Sequence, residues 1–151
     1  MLASIRPDSI NVALLVHVVG AMVMVGALVT SATAAIVGWR DATGALMRLS
    51  YKTLLYAGLP GFIVMRVGAQ WVYAEEHLDD LPEDPAWVGI GFITSDLGGL
   101  LLLVALILGG IGLRRSRSGG GGGLLKASSV IATLLVAIYI VAVWAMGAKP
   151  T

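Results

Sequence analysis

Cysteine is absent from this 151-residue chain, which excludes disulfides, thiolate metal sites and thiol redox chemistry. Charge is scarce too: Asp, Glu, Lys and Arg make up 13% of the residues, against 58% hydrophobic. Histidine occurs only twice, at His17 and His77. The chain holds no glycine-rich phosphate loop and no nucleophilic triad. Its few basic residues border apolar runs instead of forming a nucleic-acid patch. The net charge of +1 excludes little by itself, and the placement of the charges says more.

The apolar residues are collected into runs at about 10–38, 54–73, 86–113 and 124–147. Each is long enough, at 1.5 Å per residue, to cross a hydrocarbon core of about 30 Å as a helix. A soluble core helix would turn a polar face to solvent every turn, and these runs do not. The expectation is an all-α integral membrane protein, one domain over 1–151, folded as an antiparallel four-helix bundle. Ala32-Thr33-Ala34 resembles a signal-peptidase site, but the apolar stretch before it exceeds an h-region of 7–15 residues and Arg40 follows it. The first run is therefore read as a retained span.

The connections sort by sign. The first carries Arg40, Arg48 and Lys52 against Asp41, and the third carries Arg114, Arg115, Arg117 and Lys126 with no acid. The second holds Glu75, Glu76, Asp79, Asp80, Glu83 and Asp84 with no Lys or Arg. The positive-inside rule then places connections one and three in the cytoplasm and both termini outside. Trp71, Trp87 and Trp144 fall at the outer boundary and Trp39 at the inner one, as an aromatic belt requires. The compact loops and the Ala, Gly and Val content suit a bacterial inner membrane. Residues 116–123, which end in five consecutive glycines, read as a flexible cytoplasmic loop. Pro60 is expected to kink or loosen the second span.

Polar groups deep in these runs are the candidates for function, because an ionisable side chain in hydrocarbon is costly. Of nineteen formally charged residues, only Arg66 and Asp96 lie deep inside a run. His17 lies in the first run and Tyr139 in the fourth. Counted from the outer end of each span, all four sit about 10–14 Å deep. Each also shares a helical face with small or polar residues, His17 with Gly20, Ala21 and Met24, and Asp96 with Gly89, Phe92 and Gly99. The expectation is one shared layer in the outer half, with Arg66 and Asp96 either functional or a structural ion pair.

Three chemistries would use such a layer. A neutral imidazole ligates haem iron and an arginine pairs with a propionate, with Gly20 and Gly99 admitting a porphyrin and His77 or Met24 as further ligand. His17 with Met24 would suit Cu(I). His17, Arg66 and Asp96 would form a proton or ion relay for a transporter or channel subunit. The plain alternative is a non-catalytic subunit of a membrane complex, self-associating through its small-residue faces.

The stretch from Leu14 to Gly26, with the His-x-x-Gly pattern at His17 and Gly20, a second glycine at Gly26 and a basic connection after it, resembles the first span of small four-helix membrane proteins related to the copper-resistance D family. That grouping includes uncharacterised integral membrane proteins of this length and, more distantly, the membrane haem-dependent protoporphyrinogen oxidase. The likeness covers roughly residues 10–113. It implies that His17 is a haem ligand. The oxidase relatives also use a lysine on a later helix, and here Arg66 is the deep positive charge in its place. The leading expectation is a haem b-binding membrane protein with a redox or electron-transfer role.

Overall fold

The computed structural model describes residues 8–40, 44–77 and 86–148. These are helical almost throughout, with no strand among the described residues. Helix α1 spans Asp8–Val37 and runs into a 3-10 turn, Gly38–Arg40. Helix α2 spans Ala45–Thr53 and passes through a π-turn, Leu54–Gly58, directly into α3, Leu59–Glu75. Helices α4, Ala86–Ser116, and α5, Gly122–Ala148, follow. Among the described residues, three helices are long and apolar enough to cross a membrane: Asn11–Arg40, Ala86–Ser116 and Gly122–Ala145. The apolar run at 54–73 is shared between the π-turn and α3.

One feature departs from the sequence expectations and another gives an expected one its form. The first connection is largely helical, since Arg48 and Lys52 lie on α2, which buries Met47 and Ser50. It begins at Gly44, whose φ of 63° lies in the left-handed region that glycine enters without strain. The disturbance expected at Pro60 is the π-turn. Proline lacks an N–H and its ring collides with the carbonyl four residues back, here Tyr56. The chain widens by one residue before it, and the Leu59 N–H donates to the Leu54 carbonyl. The acidic stretch 78–85 lies outside the described residues.

Helices α1 and α3 touch through their backbones. A Cβ at Gly20 would strike the Val64–Met65 backbone, one at Gly61 the Met24 backbone, and one at Gly68 the backbone of His17. Small residues at such crossings gain the dispersion contacts that drive helix association in lipid. On the other side, Gly98 meets Tyr139, Gly109 meets Tyr51 and Ser128, and Gly112 meets Leu125. In both pairings the partner number falls as the glycine number rises.

The core between the pairs is Met24, Leu28, Leu54, Met65, Leu102, Leu106, Leu135 and Tyr139 with Ala105 and Ala132. Buried hydroxyls tie the other end: Ser31 and Ser50 are 2.8 Å apart, Ser50 and Ser129 3.4 Å, and Ser128 donates to the Ala105 carbonyl at 2.7 Å. Large apolar side chains such as Leu15, Met22, Ile36, Ile93, Ile140 and Val143 stay exposed. Small residues inside and large apolar ones outside is the distribution expected of helices in contact with lipid.

Candidate functional site

A cavity of about 420 Å³ opens between α1, α3, α4 and α5, within the range of small-molecule sites. Its walls are mostly apolar. Among the residues expected to matter, His17, Met24, Arg66 and Tyr139 line it, and so do Met65 and Ser95.

His17 is held by a bond from another helix. Its Nδ1 lies 3.0 Å from the Met65 carbonyl oxygen. A carbonyl only accepts, so in the neutral ring Nδ1 carries the proton and Nε2 keeps the lone pair. Gly20 and Gly68 make this bond reachable, because without Cβ atoms they let the two backbones meet one turn on either side of it. The His-x-x-Gly pattern thus has a packing meaning. Gly20 lies beneath the α3 backbone and not on the cavity wall. Gly99 is covered by the Phe62 ring.

Arg66 is held as well. Its guanidinium donates to the Asp96 carboxylate at 2.8 Å and stacks over Phe92, with 5.1 Å to the ring centroid. Phe92 in turn meets Tyr73 edge to face at 5.3 Å. Asp96 does not share the interior space: its side chain is 65% exposed, against 28% for Arg66, and it is absent from the cavity wall. The face of α4 that turns inward carries Ser95, Gly98, Leu102, Ala105, Gly109 and Gly112. Their alternating spacing of three and four is the signal that identifies it. The Asp96 face lies about 100° round the helix from Ser95.

Two hydroxyls on the cavity wall have no partner among the described residues, Ser95 Oγ and Tyr139 Oη. Ser95 is 9% exposed and Tyr139 6%. Elsewhere the hydroxyls are answered locally: Thr30 donates to the Gly26 carbonyl, Thr94 to Ile90 and Thr133 to Ser129. An unanswered buried hydroxyl costs about 1–3 kcal/mol, so this pair favours an occupant that hydrogen-bonds.

His77 follows α3 with a φ of 49° and is not part of the wall. No group of three or more His, Cys, Asp or Glu able to hold a metal ion occurs among the described residues. The wall offers the His17 imidazole, the Met24 and Met65 thioethers, the Glu76 carboxylate and the Tyr73 and Tyr139 hydroxyls.

The described residues define an all-helical protein with three helices long and apolar enough to cross a membrane and a mostly apolar chamber bearing one imidazole and two orphaned hydroxyls. No family model, no curated protein and no solved structure matches the chain.

Proposed function

We propose that this chain is a four-span antiparallel membrane bundle of the copper-resistance D-like type that binds haem b in the cavity, with His17 Nε2 as an iron ligand. The second crossing would be made by α2, the π-turn and α3 in succession, with both termini outside and the basic connections in the bacterial cytoplasm. The opposed order of the helix contacts and the sorting of the loop charges support this arrangement.

The observation that carries the ligand reading is the His17 to Met65 bond. An imidazole that donates one ring N–H to a backbone carbonyl is oriented to ligate through its other nitrogen. The orphaned hydroxyls of Ser95 and Tyr139 fit a group with hydrogen-bonding edges. Arg66 pairs with Asp96 through one nitrogen and stacks on Phe92, and its remaining N–H donors on the wall fit a propionate. Haem, when bound, would supply one-electron chemistry.

A second reading, Cu(I) binding, is favoured by Met65 joining Met24 and His17 on one wall, since two thioethers with an imidazole form a soft donor set. An absorption spectrum and metal analysis of protein purified from its native membrane separate the two. A Soret band lost in His17→Ala supports haem. A colourless protein that takes up no haemin sinks it. Copper retained by the wild type and lost in His17→Ala and Met24→Ala supports the second reading.

A further inference from the structure

A second cavity, of about 440 Å³, lies at the opposite end of the molecule between α2 with its π-turn and α4. Three cations converge on it from two elements: Lys52 from α2, Arg114 from the last turn of α4, and Arg117 just beyond. No acid lines it, and none of the three has an ion-pair partner among the described residues. Tyr51, whose ring packs on Gly109, adds a hydroxyl beside them. The remaining wall is aliphatic, including Leu55 and the half-exposed Ile107.

From this arrangement we propose that the cavity binds the phosphate head group of an anionic phospholipid. Three positive charges around one recess match a phosphodiester, and arginine presents several donors to phosphate oxygens at once. Basic pockets between membrane helices on the cytoplasmic side are where such head groups lodge. The aliphatic wall decides between a lipid and a free ion: acyl chains cover Leu55 and Ile107, whereas inorganic phosphate would leave them bare. Charge sorting by topology alone explains the sign of these residues but not their convergence. Arg40 obeys the same sign rule yet lines neither cavity, and Lys126 is spent on the face of Trp39 at 5.1 Å. The site rests on the membrane reading and is independent of haem.

The test uses the full-length protein in nanodiscs of phosphatidylcholine mixed with phosphatidylglycerol, with bound lipid counted by native mass spectrometry. Nanodiscs expose both faces, so a change of insertion direction cannot imitate a loss of binding. The wild type is expected to retain phosphatidylglycerol in preference to phosphatidylcholine, and Lys52→Gln/Arg114→Gln/Arg117→Gln to weaken that retention by about fivefold per charge removed. Arg40→Gln should leave retention unchanged. If the triple variant fails to fold, Arg117→Gln alone, outside the helix, carries the comparison with Arg114→Lys/Arg117→Lys, which keeps both charges and should keep the lipid. Equal retention of the two lipids by the wild type, or the same loss from Arg40→Gln, overturns the site. Saturable binding of inorganic phosphate to delipidated protein, without lipid preference, overturns its assignment to a lipid. The haem spectrum, or its absence, should be the same in all these variants, so the two proposals fail separately.

Discussion

The Nδ1 of His17 stands 3.0 Å from the carbonyl oxygen of Met65, so a backbone atom of α3 sets the proton position on a side chain of α1. That bond needs two backbones in contact, and glycines at 20 and 68 permit it.

Replacing those glycines should therefore be severe. Gly20→Leu and Gly68→Leu are expected to lower stability by more than about 3 kcal/mol or to prevent folding, because the obstacle is backbone and not a movable side chain. Gly26→Leu, which meets nothing within 4 Å, should stay within about 0.5 kcal/mol. Reversible unfolding in mixed micelles measures the difference.

Removing the orphaned hydroxyls should separate stability from ligand binding. Ser95→Ala and Tyr139→Phe delete groups that have no partner among the described residues, so stability should hold or rise by up to about 1 kcal/mol. Uptake of haemin, titrated by absorbance, should weaken in the same variants. A loss of stability with unaltered uptake would show that these hydroxyls face protein partners only.

The ion pair predicts a sign. Asp96→Asn leaves Arg66 without its counter-charge and is expected to cost about 2 kcal/mol, whereas Arg66→Met/Asp96→Leu should lie closer to wild type than either single change. A double-mutant cycle on thermal stability reads the coupling. A coupling near zero would mean that the stack on Phe92 holds Arg66 unaided.

Ser50 bridges Ser31 and Ser129. Ser50→Ala should cost about 1 kcal/mol, in line with interhelical hydrogen bonds in membranes. Ser31→Ala added to it should cost little more, since the shared bond is already gone. Additive losses in the two variants would mean that Ser31 has a second partner.

The helices over 10–38, 86–113 and 124–147 were legible because an unbroken apolar run long enough to span lipid has few other solutions. Helix α2 was not, because Arg48 and Lys52 made it read as a loop while its buried face is only Met47 and Ser50. The layer of His17, Arg66 and Tyr139 was legible from depth. The Arg66–Asp96 pair was legible, but Asp96 was placed inward because it shares a face with Gly89, Phe92 and Gly99, whereas the residues from Ser95 to Gly112 mark the inward face. Ser95 was hidden for the same reason. The bond to the Met65 carbonyl leaves no trace in sequence, since any residue type supplies a carbonyl.

The π-turn at Leu54–Gly58 also divides the molecule into two addressable halves. One extra residue in a helix rotates everything beyond it by about 100°, so Tyr51 and Lys52 face α4 while Met65 and Gly68 face α1. A one-residue deletion there would swing the basic pocket and the histidine cavity out of phase with each other, although no residue of either would have changed. The turn works as a phase joint, through which the two chambers on one continuous helix can be tuned separately.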